Sequence, residues 1–278
     1  MSSILTNHSA MTALSTLRNI NTNLSETQGR ISTGLSISSG KDNAAYFSIS
    51  KTMSGDSGMF KAIDENLTLQ KNAVSTARLG AETLVDLAQQ FSERVAFAQG
   101  GTQEVRDDVQ LELDELAARM KTTIDQSTFN GTDYVNAATT VTVVTGISRS
   151  SSGSISTTKM TFMQQNLGAI QTALDGVSIK SATTATLQET ALTTAEGELA
   201  KAIASATKLG IAEKSIETQK EFLGALTDRL DGGVGSMIDA NMEEEAARLQ
   251  ALQVQQQLAT QSLSIANSSP QNILSLFR

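Results

Sequence analysis

The sequence FKAIDENLTLQKNAVSTARLGAETLVDLAQQFSERVAFA, residues 60–98, decides the fold of this chain. A mostly apolar residue recurs in it at alternating steps of three and four, without a slip. The stripe consists of Phe60, Ile63, Leu67, Gln70, Val74, Ala77, Ala81, Leu84, Ala88, Phe91, Val95 and Ala98. Such a heptad stripe is typical of a helix that packs lengthwise against other helices. A helix of about 40 residues is roughly 60 Å long, so we expect an unusually long bundle.

Further helices are predicted after this one. A second helix is expected at about 104–127, with an acidic outer face and an apolar inner face. Its inward residues are Val109, Leu113, Leu116, Met120 and Ile124. Helical spacing resumes at Leu167 and becomes a long heptad pattern from about 185 to Leu230. Folding the chain back on itself is the simplest way to bury these stripes, because the two arms can then pack as an antiparallel bundle.

The pattern changes between the two arms. STFNGTDYV (127–135) contains Asn130-Gly131, which is a strong turn signal. TTVTVVTGISRSSSGSISTTKMTF (139–162) has valines and isoleucines among threonines on both sides of a serine-rich turn, which predicts a β-hairpin. The predicted fold is therefore mainly α: a long antiparallel, coiled-coil-like helical bundle with a small β-hairpin and with the N- and C-terminal helices paired.

Composition argues against several functions. The net charge of -8 argues against nucleic acid or an anionic membrane as a partner, because phosphate binding needs clustered Lys and Arg. Cysteine is absent and His8 is the only histidine, so we expect no catalytic site, cofactor or metal. The chain has no apolar run long enough to span a bilayer, and MSSILTNHSAMTALS (1–15) does not resemble a Sec signal peptide.

Both ends of the chain combine a narrow apolar stripe with little charge. No residue from Gln250 to Phe277 is charged. The stripe in this segment is formed by Leu252, Ala259, Leu263 and Ala266. A lone surface helix usually carries charge on its polar face. Two interpretations follow: tails that are disordered in the isolated chain, or tails that become ordered by packing against identical copies. Glycines in 34–40 and 231–236 predict flexible joints beside these ends.

Two polar features have structural explanations. Gln70 interrupts the apolar stripe and is expected to set the register between helices, as buried polar residues do in coiled coils. The run 243–245 consists of three glutamates and is followed by Arg248. It either forms ion pairs across subunits or is the solvated first turn of a helix, where negative charge suits the helix dipole. The solvated first turn is the favoured interpretation.

Three motifs resemble those of bacterial flagellins. GRISTGLSISSGKDNAAYFSISKTM (29–53) resembles the family's signature of a basic residue, Leu/Ile, Ser, Ser/Thr, Gly and Leu, followed by Lys-Asp-Asp/Asn-Ala-Ala. STFNG (127–131) resembles the family's Phe-Asn-Gly turn after the second helix, and PQNILSLFR (270–278) resembles its C-terminal end. The resemblance covers about 1–135 and 190–278.

The resemblance implies a structural subunit that is exported and self-polymerises into the flagellar filament used for motility. Residues 1–44 and 234–278 would form the inner-core helices, 45–138 and 165–233 the two arms of the wall domain, and 139–164 its hairpin. The implied self-assembly residues are Leu14, Leu17, Leu24, Ile31, Leu35, Leu249, Leu252, Leu263, Leu274 and Leu276. The implied joint between core and wall consists of Arg30, Lys41, Asp42, Asn43, Gly232 and Gly233.

The resemblance also implies partners and a location. The chain would be secreted through the flagellar type III apparatus and become part of the extracellular filament. Its partners would be identical subunits, a cytoplasmic export chaperone, the filament cap and the hook-associated junction proteins. Two alternatives stay open at this point. The chain could be the hook–filament junction protein, which shares the terminal helices, or it could carry a ligand site on the hairpin or on the acidic helix face.

Overall fold

The computed structural model describes residues 7–150 and 153–275, with side chains described as far as residue 268. These residues form six helices and two small antiparallel sheets, each of two strands. The helices are α1 (His8–Thr33), α2 (Ala44–Phe97), α3 (Gln103–Gln126), α4 (Leu167–Asp175), α5 (Ala185–Ile238) and α6 (Met242–Ser275). The strands are β1 (Thr128–Phe129), β2 (Thr132–Asp133), β3 (Thr140–Arg149) and β4 (Ile155–Met163). The predicted mainly α fold, with its hairpin and its paired terminal helices, is confirmed.

The chain divides into two compact units. The first comprises Met1–Ser57 and Asp228–Arg278, and the second comprises Gly58–Thr227. We call them the terminal unit and the central unit. The predicted limits of the core at residue 44 and residue 234 concern an assembled filament, and they stay predictions.

The core of the central unit follows the heptad stripes. Ten of the twelve predicted stripe positions of α2 are buried, and Ile63 and Gln70 are half-buried. All five predicted inward residues of α3 are buried. The buried positions of α5 in this unit recur at steps of three and four from Gln188 to Ile216, with Glu198 and Ser205 among alanines and leucine. The apolar stripes therefore account for the packing of the long helices.

The turn at Asn130-Gly131 and the hairpin follow the sequence prediction. Asn130 (φ 48°) and Gly131 (φ 77°) both adopt left-handed conformations between β1 and β2, which explains why Asn-Gly stands there. β3 and β4 pair antiparallel, with Val143 opposite Met160 and an irregular register between Val144 and Gly146. The inner face of this hairpin includes the buried Val143.

Gln70 bonds a residue outside the helices, and its predicted role in setting the register between helices stays a prediction. The Gln70 side-chain oxygen accepts a hydrogen bond from the hydroxyl of Tyr134, in the segment between β2 and β3. Gln219, which follows Ile216 at helical spacing on the α5 stripe, donates to the main-chain carbonyl of Thr145 at 2.8 Å. Both glutamines therefore interrupt their stripes where the helices meet the β-structure, and they satisfy its polar groups instead of each other's.

The sequence predicts a flexible joint at 231–236, and the structure shows this stretch as helix. α5 continues through Gly232 and Gly233 to Ile238, and the helix ends at residues 239–241. Each helical glycine costs about 1 kcal/mol relative to alanine, which the long helix on the N-terminal side tolerates. The role of Gly232 and Gly233 in a joint between core and wall stays a prediction. A Cβ atom on Gly233 would lie 3.0 Å from the Met53 methyl carbon, so glycine permits α2 and α5 to approach closely here.

Candidate functional site

The terminal unit contains an antiparallel pair of helices, α1 and α6, joined along one seam. The less exposed residues of both helices recur at steps of three and four. In α1 they are Ala10, Ala13, Leu17, Ile20, Leu24, Thr27 and Ile31. In α6 they are Glu245, Leu249, Leu252, Gln256, Ala259, Leu263 and Ala266. Leu252 is 8% exposed, and most of the others stay half-buried, as expected of a seam between only two helices.

Capping residues fix the start and end of these helices. The Asn7 side chain accepts a hydrogen bond from the Ala10 main-chain N–H at 3.0 Å and caps α1. Gly34, with φ 73°, closes α1 and donates its N–H to the Arg30 carbonyl. The Asn241 side chain accepts from the main-chain N–H of Glu243 at 3.2 Å and begins α6 in the same way.

Polar contacts connect the two helices at three levels. The Asn7 side-chain amide donates to the Ala266 carbonyl at 2.8 Å, and that of Gln256 donates to the Asn21 side-chain oxygen at 2.7 Å. At the opposite end, Arg30 and Glu245 form an ion pair at 3.2 Å. Two of the three contacts are neutral, which is consistent with the low charge of both helices. Sequence reasoning missed Asn21 and Gln256, although the heptad spacing of α6 places Gln256 on the seam.

Glu245 corrects the favoured interpretation of the glutamate run. Its side chain is 9% exposed, and it pairs with Arg30 of α1 instead of lying in solvent. Glu244 fits the expectation of an exposed first turn, and it pairs with Arg248 one turn later at 3.4 Å. The sequence could have indicated this difference, because Glu245 stands one heptad before Leu252 on the same stripe.

The predicted self-assembly residues fall into four groups. Five of them lie half-buried on the seam: Leu17, Leu24, Ile31, Leu249 and Leu263. Leu252 lies there buried, and Leu35 lies in the connection after α1. Leu14 is off the seam and 39% exposed. The side chain of Leu274 and the whole of Leu276 lie outside the described residues.

The connections that follow α1 and α5 pair with each other. Leu35 and Asp239 form an antiparallel bridge. The Ser36 N–H donates to the Ile238 carbonyl at 2.6 Å, and the Ala240 N–H donates to the Gly34 carbonyl at 2.9 Å. The break between α5 and α6 is therefore held by main-chain hydrogen bonds to the segment after α1.

Two of the predicted joint residues organise the start of α2. The Asp42 carboxylate accepts main-chain N–H groups from Ser39 at 2.9 Å and Ser38 at 3.0 Å, and these bonds lower the pKa of Asp42. The Asn43 side chain accepts from the Ala45 N–H at 3.1 Å and caps the helix. Lys41 is exposed beside them. The role of these residues in orienting core and wall stays a prediction.

Large apolar side chains are also exposed on both helices of this pair, off the seam. We call these positions together the outer stripe: Met11 and Leu14 of α1, and Val254, Leu258 and Ile265 of α6. Met11 is 61% exposed, Leu258 64% and Ile265 63%. No charged residue stands between Gln250 and Ser268 to interrupt the α6 part. Large apolar side chains are thus exposed on a charge-free segment of α6, which favours a contact surface.

The side chains in the described part of the chain show no group of three or more His, Cys, Asp or Glu able to hold a metal ion. No helix among the described residues has the length and hydropathy to cross a membrane. The fold and the outer stripe define a class: a structural protein of long paired helices with an apolar surface on its terminal unit.

Comparison with known proteins identifies the family. Residues 4–140 match the bacterial flagellin N-terminal helical region, and residues 192–277 match the bacterial flagellin C-terminal helical region. A flagellin of Brucella melitensis is 38% identical, with 100% of both chains covered. Flagellin C of Rhizobium meliloti is 32% identical, also with 100% of both chains covered. The crystal structure of Bacillus cereus flagellin matches with a TM-score of 0.37 and 16% identity, over 66% of this chain and 94% of that one. This chain belongs to the bacterial flagellin family.

Family membership decides the function at a coarse level. The protein is a structural subunit of the flagellar filament, as its sequence predicted. Nothing in the comparisons favours the alternative of a hook–filament junction protein. The family implies self-polymerisation, and its members form the extracellular filament.

Proposed function

We propose that the outer stripe is the surface through which this subunit packs against identical copies in the filament core. The proposal rests on the exposure of Val254, Leu258 and Ile265 on a helix segment that has no charge. An apolar side chain that is exposed in one chain gains stability when a second chain covers it, at about 25 cal/mol per Å² of apolar surface.

The missing charges support the same conclusion. In a helical polymer every subunit presents the same surface, so any charge on a contact is repeated at short spacing and repels its copies. Glutamines and serines avoid this repulsion because they donate and accept hydrogen bonds without net charge. The α6 segment from Gln250 onward contains these residues between its apolar positions.

We further propose the partners that the sequence predicted. An exported subunit whose outer stripe is uncovered needs protection before it polymerises, and a cytoplasmic chaperone that covers α6 would supply it. The filament cap and the hook-associated junction proteins would meet the same terminal unit at the two ends of the filament. Secretion through the type III apparatus is consistent with the absence of cysteine, since no disulfide has to form or break.

Seeded growth of the purified full chain tests polymerisation directly. Sheared filaments of the same protein are added to concentrated subunits, and electron microscopy measures filament length. We expect long, uniform filaments. Seeds that stay short and are only decorated at their ends would contradict polymerisation and indicate a junction protein.

A truncated chain tests the location of the contact surface. Deletion of residues 250–278 removes the α6 part of the outer stripe, and we expect a soluble monomer that does not extend seeds. Circular dichroism checks that the helices of the central unit are retained. Filaments formed by the truncated chain would contradict the assignment of the contact surface to α6.

A further inference from the structure

Two ion pairs in the central unit connect α2 to α5 across their seam. Lys71 and Glu217 meet at 2.9 Å, and Arg78 and Glu213 meet at 2.6 Å. Lys71 and Arg78 are one heptad apart, so they stand on the same edge of α2. Lys71, and then Lys214 of α5 itself, lower the pKa of Glu217 to about 2.

A third ion pair, one heptad earlier on α2, has the opposite polarity. Asp64 carries the negative charge there, and the Lys220 ammonium lies 4.0 Å from its carboxylate. The same ammonium donates to the Thr68 hydroxyl at 2.6 Å. Along one edge of α2 the charges therefore read negative, positive, positive, and α5 presents the complementary series. We call these three pairs the register ladder.

The apolar stripes alone permit more than one alignment. Both stripes repeat every seven residues, so sliding α5 by one heptad again places a stripe of mainly apolar residues against another. Such a slide moves the helix by about 10 Å along its axis. Alanines are frequent on both stripes, so size matching discriminates only partly among these alignments.

The register ladder distinguishes these alignments by charge. A slide in one direction brings Glu213 to the place of Lys220, where it faces the carboxylate of Asp64. A slide in the other direction brings Lys220 to the place of Glu213, where it faces Arg78. In either case a glycine, Gly210 or Gly224, takes the place of Glu217 opposite Lys71. Each slide loses all three attractive pairs and gains one like-charge contact, which is destabilising.

We propose that the register ladder selects one alignment of α2 and α5 among several that the heptad stripes would accept. The reversed polarity at Asp64 is the essential feature, because a ladder of uniform polarity would leave one of its pairs matched after a slide, whereas the reversed polarity turns that pair into a like-charge contact. Identical subunits can pack in a filament only if every chain adopts the same alignment, so this charge series would serve uniformity more than stability.

A single charge reversal tests the proposal, because it should favour a slide in one of the two directions. In Glu213→Lys the native alignment places two cations together at Arg78, whereas the first slide places the new lysine against Asp64. Spin labels are attached to cysteines introduced at the exposed positions Leu79 and Phe222, in a chain that has no other cysteine. Glu213 lies beside Arg78, next to the label at position 79, and position 222 lies nine residues further along α5, towards the Asp64 end of α2. This slide moves α5 further in the same direction, so it lengthens the distance between the labels.

Pulsed electron paramagnetic resonance of the unpolymerised full chain measures that distance. We expect one narrow distance with the native ladder, and with Glu213→Lys a second population that is longer by about 10 Å. A second variant removes the positive side of the ladder through Lys71→Met, Arg78→Met and Lys220→Met. This triple variant should populate both longer and shorter distances. It also tests the proposal by itself if circular dichroism shows that Glu213→Lys does not fold.

The matched control removes cations that pair only within one helix. Arg119 pairs with Glu115, and Lys121 pairs with Asp125, all on α3. Arg119→Met with Lys121→Met should leave a single native distance. A single native distance in both ladder variants would overturn the proposal and show that the packing of the stripes alone fixes the alignment. Seeded growth is not the readout here, so this result is independent of the proposed contact surface.

Discussion

Replacing Leu258 by alanine should weaken polymerisation while leaving the single chain as stable as before. The substitution removes three carbon atoms, which are worth about 2.4 kcal/mol if fully buried, at about 0.8 kcal/mol each. In the single chain 64% of the side chain is exposed and available for burial by a copy. The expected loss is therefore about 1.5 kcal/mol per subunit, which corresponds to roughly a tenfold change in an association constant.

The assay is the concentration of free subunit that remains in equilibrium with filaments. After seeded growth the filaments are sedimented, and the protein left in the supernatant is measured. Leu258→Ala should raise this concentration about tenfold, whereas thermal unfolding of the unpolymerised chain should change by less than about 0.5 kcal/mol, as for most exposed sites. Gln257→Ala, at the neighbouring exposed position, is the matched control and should leave both quantities unchanged.

A free-subunit concentration that stays within twofold of the wild type would refute the reasoning, because Leu258 would then remain exposed in the filament. An equal effect of Gln257→Ala would refute it as well, since a general disturbance of α6 would explain both. A large loss of thermal stability in Leu258→Ala alone would show that the residue is needed within the single chain.

Three further substitutions test the central unit. A Cβ atom on Gly80 would lie 1.9 Å from the Ser127 hydroxyl oxygen. Gly80→Ala should therefore lower the free energy of unfolding by about 1–3 kcal/mol in chemical denaturation. Gly197 is an exposed helical glycine with nothing within 4 Å, so Gly197→Ala should raise the free energy of unfolding by about 0.5–1 kcal/mol. Equal effects at both sites would contradict this contact. The folded pKa of Glu217 is lowered to about 2 from 4.5, so its contribution to stability is complete above about pH 4.5 and is lost as the pH falls towards 2. Thermal unfolding of Glu217→Gln should therefore lose part of its pH dependence in that window, and a curve parallel to that of the wild type would contradict the ion pair with Lys71.

The sequence was sufficient for the central unit because its stripes are long. Twelve positions from Phe60 to Ala98 repeat without a slip, and an error of one residue would have turned Leu67, Leu84 and Phe91 away from the core. The turn at Asn130-Gly131 was equally readable, since few residue pairs adopt two successive left-handed conformations. Turn residues and long apolar periodicity were thus sufficient to predict most of the fold.

The terminal unit was harder to predict from sequence, because each of its helices has two apolar stripes. Leu14 and Leu17 both fit helical spacing, yet Leu17 lies on the seam and Leu14 on the outer stripe. Only the position of the partner helix decides between them, and that partner is more than 200 residues away in the chain. The heptad position of Glu245 indicated its burial, but its ion-pair partner was hidden for the same reason, since Arg30 lies on α1.

The glycines at 232 and 233 show the limit of composition as a guide. Glycine predicts a break where the helix has nothing else to hold it, but α5 is long on the N-terminal side and packs closely against α2 at Gly233. The actual break after Ile238 is marked by Asn241, which caps the next helix. A capping residue was the better signal of the boundary.

The pairing of α1 with α6 also imposes an order in time. Asn7 and Ala266 are 259 positions apart, and a chain that emerges from its N-terminus presents them at the start and near the end. Residues 58–227 can complete the central unit while α6 has yet to appear, because all of that unit's partners lie between α1 and α6. The first helix to emerge is thus among the last to acquire a partner. Throughout that interval, its seam and its outer stripe are both open to other chains.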